Sequence, residues 1–174
     1  RPKAWLIGSP ELRGMLKTVG ATLVSAEKCD YVVTGMTPKF GYRLITAAIP
    51  AIVRSVTWIA CNRDRFFPGE GGKLMPGCAS VVGALEGIAG RGPDIISGKP
   101  SVRFIQAFAA THQINPHDCI VVGDTWDSDI ALAQNLGAPA VWIQSRAASA
   151  PTHPIPNNVY VRTSLLEFAR DLLY

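Results

Sequence analysis

Residues 121–130 read Val-Val-Gly-Asp-Thr-Trp-Asp-Ser-Asp-Ile, and this stretch decides the fold prediction. The apolar run 119–122 predicts a strand that is covered on both faces. Gly123 ends that strand, and residues 127–136 predict a helix that Gly137 terminates. A strand that leads directly into a helix is the repeating unit of an α/β fold with a parallel sheet.

The same alternation of strands and helices extends over the whole chain. Pro50 lies inside one of the helical patterns, where it predicts a kink or an early end. Two stretches rich in Gly, Pro, Ala, Arg or Ser, 62–76 and 145–158, predict loops. The remaining predicted strands are 4–7, 31–34, 57–61, 94–97, 138–143 and 159–161, and the remaining predicted helices are 10–19, 42–54, 77–89, 101–112 and a last one that Ser164 caps.

Composition excludes several classes of protein. The chain has 174 residues, of which 48% are hydrophobic and 17% charged, so it is able to bury a core. No apolar run approaches the roughly 20 residues that a membrane-spanning helix needs, so we expect no membrane partner. The net charge is +4 and the basic residues are scattered, which argues against a nucleic-acid partner.

The four cysteines form no CxxC pair, and a zinc ribbon is therefore not expected. Cys29, Cys61 and Cys119 lie in or beside apolar strand-like runs, where a buried thiol is the usual case. Unpaired buried thiols are typical of a reducing compartment, and we expect a cytoplasmic protein.

Two segments at predicted strand ends carry the candidate chemistry. Lys99 follows the strand 94–97, and Asp124 follows the strand 119–122. Ligands of open α/β sheets bind beyond the carboxyl ends of the strands, so we expect both residues to share one crevice at neighbouring strands. Asp124 is a candidate Mg²⁺ ligand and Lys99 a partner for a phosphoryl group. Asp129 is expected to hold a metal-bound water or to orient Lys99.

Structural roles compete with these functional ones. A Gly-Asp at a strand end is often only a turn with an N-cap, and we expect Asp127 to be a cap rather than a ligand. A single lysine is usually a solvated side chain. The combination of Gly-Lys-Pro after one strand and Gly-Asp-x₄-Asp after a later one is more specific than either part, and it favours the functional interpretation.

Four segments in a fixed order resemble the haloacid dehalogenase (HAD) superfamily: Ile-Ala-Cys-Asn-Arg-Asp (59–64), Leu-Met-Pro-Gly-Cys (74–78), Gly-Lys-Pro-Ser (98–101) and Val-Gly-Asp-Thr-Trp-Asp-Ser-Asp-Ile (122–130). Within it, the chain is similar to phosphatases with a large inserted α/β cap. These are the 4-nitrophenyl phosphatase, phosphoglycolate phosphatase, glycerol-3-phosphate phosphatase and pyridoxal phosphatase group. The resemblance spans nearly the whole chain.

The resemblance implies roles for named residues. Lys99 would hold the nucleophilic aspartate and the phosphate, Asp124 would bind Mg²⁺, and Asp129 would support both Lys99 and metal-bound water. Asn62 and Asp64 match the family's Asn-x-Asp at the end of a cap strand. With Arg63 they become candidate substrate-binding residues at the start of a specificity loop, 63–76. A turn whose side chains bond to their own backbone is the equally weighted alternative.

The chain departs from the family in one respect. The nucleophile of the family lies in a DxDGT-type motif, which is absent from this sequence. By the resemblance, residues 1–97 are the cap domain, and 98–174 are the second half of a HAD-like Rossmannoid catalytic core with a parallel sheet. The first half of the core would lie outside this stretch, and the strand 119–122 would have an unpaired edge.

Two functions from different classes follow from this mapping. The first is an Mg²⁺-dependent phosphomonoester hydrolase for a small phosphorylated metabolite, acting through an aspartyl-phosphate whose nucleophile lies outside these residues. The second is a catalytically inactive fragment, or a non-enzymatic protein that binds a phosphorylated ligand or a partner. The cap half is also a candidate surface for a homodimer, and the alternative is that its apolar residues form only the cap's own core.

Overall fold

A computed structural model describes residues 1–144 and 154–172 of the chain. The chain divides into two compact units, which we call unit 1 (Arg1–Ser97) and unit 2 (Gly98–Tyr174). The predicted loop 145–158 falls largely outside the described residues. Within the described ranges, every helix falls short of the length or the apolar character that crossing a membrane requires.

Unit 1 is an α/β layer, which confirms the predicted α/β class. Its strands are β1 (Lys3–Ile7), β2 (Thr22–Leu23), β3 (Tyr31–Thr34), β4 (Thr57–Ala60), β5 (Phe66–Pro68), β6 (Leu74–Pro76) and β7 (Ile95–Ile96), and its helices are α1 (Pro10–Thr18), α2 (Tyr42–Val53) and α3 (Cys78–Ala89). Five of the strands form one sheet in the order β2-β1-β3-β4-β7, in which all neighbouring strands are parallel.

The core of unit 1 forms where the sheet meets α2 and α3. Trp58, Val32 and Leu85 are fully buried there. The indole N–H of Trp58 donates to the Thr34 hydroxyl over 3.0 Å, so the one polar atom of this large side chain is satisfied inside the core. The central strands β3 and β4 are therefore anchored by both packing and a buried hydrogen bond.

Two features of unit 1 differ from the sequence-based prediction. Helix α2 continues past Pro50 and ends at Val53, so the early end did not occur. Residues 62–76, predicted as a loop, contain the antiparallel hairpin β5–β6. Pro76 pairs with Phe66, and Pro68 pairs with Leu74. Because proline is rare within strands and these strands are short, the alternation of apolar and polar residues that normally indicates a strand is not visible in the sequence.

The regular elements of unit 2 are α4 (Arg103–His112), β8 (Val121–Gly123), α5 (Ala131–Leu136), β9 (Ala140–Ile143), β10 (Val159–Arg162) and α6 (Leu165–Asp171). The three strands form a parallel sheet in the order β10-β9-β8. A π-helical turn (Trp126–Ile130) replaces the first turn of the helix predicted for 127–136.

Strand β8 differs from the covered strand that its apolar sequence predicted. Among the described residues, β8 is an edge strand that pairs with β9 on one side. The unpaired edge expected for the strand 119–122 is therefore present. Ile120 and Val122 are accordingly 47% and 38% exposed. An apolar run indicates burial in the finished protein, but it does not say which element provides the cover.

All four cysteines are free thiols. Cys29 and Cys78 are buried, whereas Cys61 and Cys119 are only partly buried, so the burial predicted for these two is incomplete. Desolvation in the core, with a contribution from the neighbouring Cys78, raises the pKa of the Cys61 thiol to about 11. The Cys61 thiol is therefore protonated at neutral pH and is a poor nucleophile.

Gly77 is required by a close approach at the start of α3. Its N–H donates to the Arg65 carbonyl over 2.9 Å, and the Asp64 carbonyl accepts from the N–H of Ala79 over 3.0 Å. A Cβ atom on Gly77 would lie 2.1 Å from the Asp64 carbonyl oxygen. Because both partners are backbone, the chain itself would have to move.

We therefore expect Gly77→Ala to lower the free energy of unfolding by about 1–3 kcal/mol through this clash. Gly83 lies on the exposed side of α3 with open space around its ideal Cβ. Gly83→Ala should raise the same quantity by about 0.5–1 kcal/mol, because alanine is the better helix former. Urea unfolding of both variants measures the difference, and equal effects of the two substitutions would contradict this account of Gly77.

Candidate functional site

Asp124 directly follows the last residue of β8, and its carboxylate is exposed at the carboxyl end of the strand. Among the described residues, its side chain receives one hydrogen bond, from the Thr125 hydroxyl to Oδ1 over 3.2 Å. The carboxylate therefore keeps oxygen lone pairs available to a ligand.

Asp129 lies in the π-helical turn, and the turn brings its carboxylate back to the end of β8. Asp129 is 7% exposed, and its Oδ2 accepts the Thr125 N–H over 3.1 Å. Asp129 thereby makes the contact with the N-terminal backbone that we expected of Asp127. The prediction that Asp127 is the cap is wrong, because the turn begins at Trp126 and Thr125 occupies the capping position.

Gly123 permits this approach. A Cβ on Gly123 would lie 2.3 Å from both Cβ and Cγ of Asp129 and 2.4 Å from its Oδ2. Only a residue without a side chain leaves room for the carboxylate. The Gly-Asp pair at the strand end is therefore a steric requirement of the site as well as a turn.

Lys99 pairs with Asp129 over 2.6 Å, measured from Nζ to Oδ1. The side chain of Asp129 is 10% exposed and that of Lys99 is 50% exposed. The lysine thus compensates a carboxylate that has lost most of its water, while half of the lysine side chain is exposed. This ion pair is the contact that the second role expected of Asp129, to orient Lys99, requires, and the role itself stays a prediction.

The route by which Lys99 reaches the site differs from our prediction of two neighbouring strand ends. The strand before it, β7, pairs with β4, at Ile59↔Ile95, and so belongs to the sheet of unit 1. Strand β8 belongs to the sheet of unit 2. Lys99 therefore comes from the segment that follows β7, and a side-chain ion pair, instead of strand pairing, brings it to Asp129.

Sequence reasoning missed one residue at this site, Trp142 of β9. Its indole Nε1–H donates to the Asp124 main-chain carbonyl over 3.1 Å. Trp126 packs edge-on against it, with ring centroids 5.1 Å apart, in the core of unit 2. A tryptophan in an apolar strand is typical of a core residue, so the sequence contained no signal for this hydrogen bond.

Asn62, Arg63 and Asp64 belong to unit 1, where they follow β4. Asn62 Oδ1 accepts a hydrogen bond from the Asp64 N–H over 3.2 Å. A turn whose side chains bond to their own backbone, the alternative to substrate binding, predicts a bond of this kind. Arg63 is exposed and forms an ion pair with Glu86 of α3. These contacts describe how the segment is held, and its role toward a substrate stays a prediction.

The donor chemistry fits a magnesium ion at Asp124. The described residues contain no cluster of three His, Cys, Asp or Glu side chains that could form an all-protein cage. Mg²⁺ typically binds through one or two carboxylates and takes waters and phosphate oxygens for its remaining positions. One exposed carboxylate at a strand end suits that mode of binding.

Comparison with known proteins finds a HAD-hydrolase-like family model and proteins that are named as phosphatases. A HAD-hydrolase-like family model matches residues 96–168. Sugar-phosphatase AraL of Bacillus subtilis is 27% identical over 169 residues, which are 97% of this chain and 62% of that protein. The chain thus spans less than two thirds of the length of this curated relative.

Two solved structures extend the comparison to the fold. A p-nitrophenyl phosphatase from Archaeoglobus fulgidus matches with a TM-score of 0.84 and 29% identity, covering 98% of this chain and 67% of that one. A glycerol phosphate phosphatase from Mycobacterium tuberculosis, solved in complex with magnesium, matches with a TM-score of 0.72 and 30% identity, covering 81% and 43%. The predicted HAD-like fold is confirmed, and the chain matches the haloacid dehalogenase superfamily in both sequence and structure.

Proposed function

We propose that the protein is an Mg²⁺-dependent hydrolase of small phosphomonoesters. The observation that carries the proposal is the Lys99–Asp129 ion pair, whose carboxylate also holds the backbone beside the exposed Asp124. An ammonium group and a metal-binding carboxylate close to one strand end are suited to the charge of a phosphoryl group. The relatives, which are named as phosphatases, support the same reaction.

In this proposal, Lys99 binds a phosphoryl oxygen and orients the attacking carboxylate. Asp129 holds the Lys99 ammonium group in place beside the reacting atoms. Because Asp129 is buried and fixed by the Thr125 N–H, Lys99 has a rigid counter-ion, and less rearrangement is needed when the phosphoryl group arrives.

Asp124 would hold the magnesium ion. When bound, Mg²⁺ neutralises negative charge on the phosphoryl oxygens. The nucleophile of the aspartyl-phosphate route would be a carboxylate outside these 174 residues, because the DxDGT-type motif is absent from the sequence. The open edge of β8 is consistent with a further strand that pairs there.

The two units receive different roles in the proposal. Unit 1 is the cap, and unit 2 is the second half of the catalytic core. Asn62, Arg63 and Asp64 would contact the part of the substrate beyond the phosphate. The named substrates of relatives, a sugar phosphate and a glycerol phosphate, make a small polyol phosphate the substrate class that we favour.

A second copy of the chain and a cytoplasmic location complete the proposal. Helix α2 buries Ala48 and Ala51 but leaves Tyr42, Ile49 and Val53 exposed. An apolar face of this kind supports a homodimer through unit 1.

The free thiols support a reducing compartment, and fractionation of cells that express the gene would reveal a location other than the cytoplasm.

The activity is tested on the gene product that carries this chain, with 4-nitrophenyl phosphate as substrate. We expect phosphate release to require Mg²⁺, and we expect Asp124→Ala to lower kcat/KM by roughly 10²-fold or more, because one charge-stabilising group at the phosphoryl oxygens is lost. Asp118→Asn serves as the control, since Asp118 is an exposed carboxylate of unit 2 outside the site.

Two results would count against the phosphatase. One is full activity of the Asp124→Ala protein, and the other is an activity that does not respond to removal of Mg²⁺ by a chelator. Binding of inorganic phosphate without any turnover by the gene product would favour the non-enzymatic alternative.

Sedimentation velocity tests the dimer. We expect the unsubstituted chain to sediment as a dimer and Val53→Glu to convert it to a monomer, because a carboxylate would have to be buried in the apolar contact. Val19→Glu is a matched control at the residue that follows α1, since Val19 and Val53 are 77% and 76% exposed. A monomeric parent chain, or equal dissociation of both variants, excludes the α2 interface.

A further inference from the structure

We infer that Trp142 is a positioning residue for the Asp124 carboxylate, an inference that rests on the proposed function. The chain's own register brings the two residues together. Strands β8 and β9 are parallel, and Gly123 is paired with Trp142. The indole therefore lies beside the residue that immediately precedes Asp124, and its Nε1–H reaches the Asp124 carbonyl over 3.1 Å.

The peptide unit between Asp124 and Thr125 is held at both of its polar ends. Its carbonyl accepts from Trp142 Nε1, and its N–H donates to Asp129 Oδ2 over 3.1 Å. The two partners come from different elements, a strand and the π-helical turn. A planar peptide that is fixed at both ends leaves the Asp124 side chain only its own torsions to rearrange.

Trp142 is itself rigid enough to act as such a support. It is 1% exposed, and Trp126 packs edge-on against its ring. The indole has one N–H and no acceptor, so this hydrogen bond satisfies its only polar atom. Loss of the N–H would leave the Asp124 carbonyl free to rotate and would loosen the carboxylate that we propose binds the ion.

The hydrogen bonds form one continuous connection. Lys99 pairs with Asp129, Asp129 holds the Thr125 N–H, and Trp142 holds the carbonyl of the same peptide. Groups behind a metal ligand commonly set its orientation and hence its affinity for the ion. Trp142 would act on the ion through the backbone of Asp124 and would not touch it.

The test measures Mn²⁺ binding to the gene product that carries this chain. The electron paramagnetic resonance signal of free Mn²⁺ reports how much of the ion stays unbound. This readout needs no turnover and does not depend on tryptophan content. We expect Trp142→Phe to raise the dissociation constant for Mn²⁺ by roughly 3- to 10-fold, the effect of losing one supporting hydrogen bond. The control is Trp58→Phe, a fully buried tryptophan of unit 1 whose indole N–H is also hydrogen-bonded, and it should bind Mn²⁺ like the parent.

A second replacement separates the hydrogen bond from the packing. Incorporation of 3-benzothienylalanine at position 142 retains the shape of the ring and replaces only the N–H by sulfur. We expect it to weaken Mn²⁺ binding as Trp142→Phe does. The inference would be overturned if the 3-benzothienylalanine protein bound Mn²⁺ as tightly as the parent does. It would also be overturned if Trp58→Phe lost as much affinity for Mn²⁺ as Trp142→Phe.

Asp124→Asn distinguishes failure of this inference from failure of the proposed function. If Asp124→Asn binds Mn²⁺ as tightly as the parent, the proposed metal site is wrong. If Asp124→Asn loses binding while both replacements of Trp142 keep it, the metal site stands and the positioning role of Trp142 is wrong.

Discussion

The ion pair between Lys99 and the buried carboxylate of Asp129 is the interaction on which the site depends. The pair spans 2.6 Å, and the same carboxylate also accepts the Thr125 N–H. An unpaired carboxylate with 7% exposure would be costly, so the fold has to keep Lys99 near the end of β8. Gly123 is tied to this requirement, because any side chain there would occupy the space of the Asp129 carboxylate.

Asp124 combines an exposed carboxylate with a backbone that its neighbours hold in place. Among the described residues, its side chain accepts one hydrogen bond, from the Thr125 hydroxyl, while the backbone on its C-terminal side is fixed by Asp129 and Trp142. A ligand carboxylate that is available to solvent but attached to a rigid backbone is well suited to a hard cation, which is held by few protein ligands and by the oxygen atoms of its substrate. The π-helical turn contributes by directing Asp129 toward the strand. Such turns are frequent at functional sites.

Much of this arrangement can be read from the sequence, and the exceptions have physical causes. Apolar runs and helix termini predicted the α/β alternation, because both are local signals. The sheet to which β7 belongs is a non-local property, so Lys99 and Asp124 were wrongly assigned to neighbouring strand ends although the lysine does lie close to Asp129. The resemblance predicted the unpaired edge of β8, whereas the apolar pattern alone predicted a covered strand, because the sequence indicates that Val122 prefers burial but not what covers it. Asp127 was mistaken for the cap because its spacing is that of a regular helix, and the wider turn instead uses Asp129.

The most direct test of the central claim is a crystal structure of the gene product that carries this chain, grown with Mn²⁺ and tungstate as a phosphate mimic. Anomalous scattering locates both. The account predicts manganese at about 2.1 Å from an Asp124 carboxylate oxygen. It predicts a tungstate oxygen within about 3 Å of Lys99 Nζ, with the Lys99–Asp129 pair intact. Manganese bound away from Asp124, or tungstate bound where Lys99 cannot reach it, would contradict the account.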